Sequence, residues 1–336
     1  MLNLLQSIFG GGEGRGRYPA SLIEMAIERA VEGTDPRVRA LPGYSHKLRA
    51  PVIHAIDHVI ELVDAIHVQP VTIDAASHGT DPRLGALFAS PESMLDILGR
   101  DQALRDYLDT AEGRRASRVH TLLLAERVER NILGLDLVGD QVRRDVAEIA
   151  VNFFAHRLLE PNADADETRR HLKRRAFDFL LTQALDRISQ TNLERVDLAH
   201  QRDLVNRKLS ALEQGGWGFK LAEGEQPNLA ALMADLDEIT AHLHALGPDQ
   251  AILETHLGIL IEVLGNAEHQ LWSEPITLFL DAMNIVRDEH DASARRIDLM
   301  ELRGGKGQRL VMLPLVIAPD QLPAQVDFLT AVQRYL

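Results

Sequence analysis

From Asp166 to Gln214 the chain runs for forty-nine residues without a Gly or a Pro. Those two residues are the commonest interrupters of a helix, so this stretch limits the fold more than any other. Leu172, Ala176, Phe179, Leu180, Ala184, Leu185 and Ile188, then Leu198, Val205, Leu209 and Leu212, recur at helical spacing with polar residues between them. That pattern predicts a long one-sided helix. Asp164 and Glu167 have the form of a capping box ahead of it, and Gly215-Gly216 gives the chain freedom to end it. Unbroken, such a helix spans roughly 70 Å at about 1.5 Å per residue. Thr191 with Glu194 offers an alternative cap that would divide it in two.

A long helix with one apolar side needs a partner along its length. Asn228 to Leu246 and Pro248 to Leu264 read as further helices joined around Gly247. Residues 162–270 are therefore expected to form a long, coiled-coil-like helical hairpin. In an antiparallel hairpin the turn from Gly215 to Leu221 lies at the far tip, where Trp217 and Phe219 are hard to bury. They are candidate partner-binding residues; the alternative is that Trp217 folds back to cap the hairpin core.

The remaining segments read as follows. Residues 1–18 form an N-terminal segment with a glycine-rich linker after the apolar run Met1–Phe9. Residues 19–116 form a helical module: Ser21 with Glu24 caps a helix reaching Glu32, a second runs from Ser45 to Val68, Ser90-Pro91-Glu92 starts a third that Gly99 ends, and Asp101 caps a fourth. Gly33–Leu41 nearly repeats as Gly79–Leu87, which reads as two Asp-Pro helix starts. In residues 117–161 the alternation around Leu133, Leu135 and Leu137, followed by Val138-Gly139-Asp140-Gln141, predicts a hairpin in a small antiparallel sheet of two or three strands. Residues 271–336 contribute a second hairpin, Arg296–Leu302 with Arg309–Ala318, that may join this sheet, and a closing helix from Val326 to Leu336. The fold class expected is α+β, predominantly α-helical.

Composition narrows the chemistry. Aromatic residues are only 4% of the chain, so aliphatic side chains on helices must supply most of the core. The net charge of −14 argues against nucleic acid as the main ligand, since phosphate binding usually calls for a basic face. With no cysteine at all, disulfides, thiolate nucleophiles and cysteine-ligated metals are excluded. Arg outnumbers Lys thirty-one to five, a coding bias of the kind found in GC-rich bacterial genomes. No basic residue precedes the apolar run at Met1, so a secretory signal is not expected, and no transmembrane segment is expected. The expected location is cytoplasmic, with residues 1–9 left as a weak candidate for peripheral membrane contact.

Two clusters carry possible chemistry. His54, His58 and Glu61 share a face of the helix from Ser45 to Val68, flanked by Asp57, Asp64 and His67, and two imidazoles and a carboxylate on neighbouring turns suit a transition metal. The opposing reading is a solvated stripe across from the core face Val52, Ile53, Ile56, Val59, Ile60, Val63 and Ile66. Arg169, Arg170, Lys173 and Arg174 crowd the start of the long helix and are candidate anion-binding residues; ion pairing with nearby acids is the other account. No sequence motif names a reaction. The leading expectation is a protein-interaction or scaffold protein whose helical arm binds a protein partner or a second copy. A metal-dependent enzyme using the His54 stripe is the first alternative, and an anion or nucleic-acid binder using the Arg169 cluster is the second.

Overall fold

The structure is a computed structural model that describes residues 18–66, 70–74, 76–138, 141–213, 229–245, 249–305, 307 and 309–323. Helices and a sheet both contribute, so the class is mixed α+β. Among the described residues, the chain divides into two compact units: one drawn from Asp57–Ala176 and 268–323, the other from 18–56 and Phe177–Ala267.

Among the described residues, the regular elements of the second of these units are all helical. Helix α1 (Ala20–Glu32) buries Ile23, Ala26, Ile27, Ala30 and Val31, which is the i, i+3, i+4, i+7, i+8 stripe of a one-sided helix. It starts after Pro19 with no side-chain cap, so Ser21 lies within the first turn and the Ser21–Glu24 capping box does not form. A 3-10 turn (Pro36–Ala40) leads to α2 (Tyr44–Ile66), which accommodates Pro51 in its interior. Leu48, Val52, Ala55 and Ile56 of α2 are buried, as are Leu180, Leu181, Ala184 and Ile188 further along the chain. A Cβ on Gly33 would meet Leu181 Cδ1 at 3.2 Å, so glycine permits that close approach. Across the surface Arg29 holds Asp178 with two bonds of 2.9 and 2.8 Å.

The first unit is built on a six-stranded sheet. In chain order its elements are β1 (Val71–Ile73), the short helix α3 (Ser77–Thr80), α4 (Pro82–Leu87), α5 (Pro91–Arg100), α6 (Gln102–Leu108), β2 (Val119–Val138) and β3 (Gln141–Asn162). After the long helix α7 (Ala165–Glu213), α8 (Leu229–Ala245), α9 (Asp249–Gly265) and α10 (Ala267–Gln270), the chain returns as β4 (Leu271–Leu280), β5 (Arg295–Gly304) and β6 (Arg309–Ile317). Strand order is β3-β2-β6-β5-β4, all antiparallel, with β1 added parallel to the end of β6.

Several expectations hold and several change. The hairpin is present, with Val138 paired to Gln141; its loop residues lie outside the described residues. The C-terminal hairpin does join the same sheet, through β6 on β2. The sheet has six strands, two more than the two hairpins supply, because β1 and β4 are not legible in the sequence. Pro275 obscures β4, but this strand lies at an edge of the order, where a missing N–H is tolerated. Pro314 sits in central strand β6 for a related reason: β5 pairing stops at Met312 and β1 pairing starts at Leu315. The long helix is continuous through Thr191. Only half of its capping box forms: Asp164 accepts from Asp166 N at 2.8 Å, while Glu167 turns to Arg170 at 2.7 Å. The closing helix from Val326 to Leu336 lies outside the described residues.

Side chains alternate across the sheet, giving it two buried faces. Leu123, Ala125, Leu299, Val311, Leu313 and Ile317 pack with Leu84, Leu87, Met94, Leu98 and Leu104 from α4, α5 and α6. Leu122, Leu124 and Met312 on the other face pack with Val63 and Ile66 of α2 and Leu172 of α7. The result is a helix–sheet–helix sandwich. Residues 284–286 then bridge the two ends of the strand order. Val151 N donates to Asn284 O and Val286 N to Ile149 O, both at 2.8 Å, while Leu280 of β4 bridges to Val286 on the other side. The turn is clamped by Asp281, whose carboxylate accepts from Met283 N at 2.8 Å and Ile285 N at 3.0 Å. Arg287 links Asp281 at 3.0 Å to Glu148 at 2.6 Å.

Candidate functional site

Apolar residues continue along the whole of α7, but their burial changes. Up to Ile188 its apolar residues are mostly buried; beyond that point Leu204 is 47% exposed. Leu198, Gln201 and Val205 stand at i, i+3 and i+7, with Leu204 beside them, and they line one wall of an open groove of about 400 Å³. Asp235, Glu238 and Ile239 of α8, at i, i+3 and i+4, line the other wall. Each wall is one face of one helix. Met233, two residues before Asp235, is 54% exposed. The groove therefore has an apolar floor (Leu198, Leu204, Val205, Ile239) and carboxylates at its rim. Asp197 holds Gln201 Nε2 at 3.0 Å, and Asp203 pairs with Arg202 at 3.1 Å.

The proposed metal stripe does not converge. His54 and Glu61 are exposed, and the half-buried His58 places Nε2 2.6 Å from Leu271 O. A carbonyl can only accept, so that nitrogen carries the proton and cannot ligate a metal through the same atom. Asp64 is taken by Lys173 at 2.8 Å. Among the described residues, no group of three or more His, Asp or Glu side chains is placed to hold a metal ion. The basic cluster is largely paired: Arg169 with Asp166 at 3.4 Å, Arg170 with Glu167 at 2.7 Å and Lys173 with Asp64, while Arg174 is half-buried. Trp217, Phe219 and the apolar run 1–9 lie outside the described residues.

Buried polar groups were not foreseen, although one signal was visible. The two Asp-Pro-Arg segments adopt the same local structure: Asp35 accepts from Arg37 N at 3.0 Å and Asp81 from Arg83 N at 2.9 Å, and each arginine folds back onto its own aspartate. Both aspartates cap a helical turn that begins with proline, as an Asp-Pro pair should. Asp35 goes further. Its Oδ2 lies 2.7 Å from Nδ1 of His256, a fully buried residue of α9. The Arg37 guanidinium beside it, opposed by burial and helped by His256, lowers the Asp35 carboxyl to about 2. Nothing local to Asp35 announces a histidine 221 residues away.

A second network crosses the sheet. Glu301 of β5 is fully buried and accepts from Arg127 Nε of β2 at 2.7 Å and from Arg303 Nε at 2.8 Å. Burial raises its pKa, but the two guanidinium groups outweigh that and leave it below the ordinary carboxylate value. His156 follows Ala155, whose φ of 51° marks a bulge in β3. Its ring stacks on Phe88 with centroids 4.8 Å apart and meets Leu87 O at 2.8 Å; burial lowers its pKa and favours the neutral form. These groups fasten one element to another, and each reaches a protein partner. The groove between α7 and α8 is different, because its apolar side chains remain open to solvent.

No helix among the described residues is long and apolar enough to cross a membrane. No protein-family model, curated protein or solved structure matches the chain.

Proposed function

We propose that the chain is a protein-interaction or scaffold protein whose helical arm, the distal part of α7 with α8, binds a protein partner. The observation that carries this reading is the exposure of Leu204 (47%) at an open groove that Leu198, Val205 and Ile239 also line. Single exposed aliphatic residues are ordinary on a protein surface. An exposed leucine at a concave face, with Leu198, Val205 and Ile239 beside it, offers what a helix needs to dock. Covering apolar surface yields roughly 25 cal/mol per Å², so even one inserted side chain contributes on the order of 1.5–3 kcal/mol. The paired state of the Arg169 cluster and the dispersal of the His54 stripe give their alternatives less support.

Affinity purification with the full-length chain tests the reading. Leu204→Asp should abolish capture of specific partners while leaving the circular dichroism spectrum and melting temperature within a degree or two, because this side chain faces solvent. Partners retained by the variant would remove the arm from the account.

A further inference from the structure

We infer that the groove between α7 and α8 takes an amphipathic helix with a basic polar face, supplied by another protein and not by a second copy of this chain. The inference rests on reading the arm as an interaction surface and names the chemistry of its occupant. The floor selects for apolar side chains at helical spacing. The rim selects for charge. Asp235 and Glu238 line the groove itself, and both are exposed. Across the whole of α8 there are three acids and neither a Lys nor an Arg. On α7 the exposed Asp197, next to Leu198, accepts from the lining Gln201 at 3.0 Å, and the Arg202 guanidinium is engaged by Asp203 at 3.1 Å.

Lys and Arg flanking the apolar face of a docked helix would lie within about 10 Å of these carboxylates, close enough to escape most salt screening. Opposite charges there suppress wrong partners as well as guiding the right one. A second copy fails on this count. An isologous dimer through this face would bring α8 and its carboxylates against the same surface of another molecule, and like charges face to face are costly. The chain's net charge of −14 adds to that repulsion.

Fluorescence anisotropy with the full-length chain tests the inference. The probe is a labelled synthetic helix of about eighteen residues, with leucines at i, i+3, i+4 and i+7 and lysines on the rest of its surface; its control carries glutamates in place of the lysines. The lysine probe should bind and the glutamate control should not. Leu204→Asp should weaken lysine-probe binding at least tenfold, and Asp235→Asn with Glu238→Gln should weaken it several-fold and flatten its salt dependence. Asp109→Asn with Glu289→Gln, exposed acids that do not line the groove, should leave it unchanged. Equal weakening by this pair, or indifference to the groove variants, would show general attraction to an acidic protein and overturn the inference. Glutamate-control binding lost on Leu204→Asp would overturn the basic partner while leaving the arm as an interaction surface. So would a dimer, seen by sedimentation, that Leu204→Asp disrupts. If neither probe binds and no purified partner responds to Leu204→Asp, the reading of the arm fails as well.

Discussion

Replacing Asp35 with Ala removes an N-cap, an ion pair and the acceptor for a buried imidazole in one step. Loss of the cap on the Pro36–Ala40 turn costs about 1 kcal/mol. His256 has 0% side-chain exposure, so its Nδ1–H would be left without a partner away from water, at roughly 1–3 kcal/mol. Together these give about 3 kcal/mol at neutral pH. The titration of Asp35 gives a separate measure of much the same interactions. A carboxyl held at about 2 instead of 3.8 corresponds to about 2 kcal/mol, discounted because the Arg37 side chain is 67% exposed. The sign follows from linkage: a depressed carboxyl pKa stabilises the fold fully above the unfolded value and ceases to do so as pH falls through the folded one. The stability gap between the native chain and Asp35→Ala should hold from pH 7 to about 4 and close between about 4 and 2.

Asp81 supplies the control. It has the same Asp-Pro-Arg cap and the same back-folded arginine, but its side-chain bonds run to Arg83, and among the described residues no histidine pairs with it. Asp81→Ala should cost about 1–2 kcal/mol. Urea denaturation gives the totals, and hydrogen exchange shows where protection is lost; for Asp35→Ala that should be the 3-10 turn and α9 together. If Asp35→Ala costs no more than Asp81→Ala, or if its cost persists unchanged to pH 2, the buried pair does not fasten the turn to α9.

Two further outcomes follow from the sheet. Glu301→Ala should destabilise by about 3 kcal/mol, because it takes from Arg127, with 6% of its side chain exposed, the buried carboxylate on its Nε and leaves only the more exposed Glu129, whereas Glu301→Leu combined with Arg127→Met should lie near the native chain in denaturant titration. A cost for the double variant as large as for Glu301→Ala would mean that packing and not the stranded charge sets the penalty. Ala155→Gly should stabilise by up to about 1 kcal/mol, because the left-handed backbone at φ 51° strains any residue with a Cβ and Ala155 is exposed; a lowered melting temperature would refute this.

What the amino-acid sequence determined by itself is what depends on neighbours along the chain. The run without Gly or Pro made α7 legible to within a residue or so of Ala165–Glu213, and Ser90 and Asp101 cap the helices they precede. The β2–β3 hairpin was legible because its strands are joined by two residues, and β5–β6 because Gly304 to Gly307 mark a turn. That Leu198 and Val205 share one face was implied by their spacing; the exposure of Leu204 and Met233 was not, because it depends on what does and does not cover them. Tertiary structure alone decided that β6 lies against β2, that β4 occupies an edge that tolerates Pro275, and that Asn284 to Val286 bridge β3 and β4. It likewise brought His256 to Asp35 across 221 residues and Glu301 to Arg127 across 174. Helical period, strand alternation and capping are set within a turn or two of chain, so they are written locally. Strand edges and buried charges are satisfied by whichever distant group the packed core brings to them, and that choice belongs to the fold as a whole.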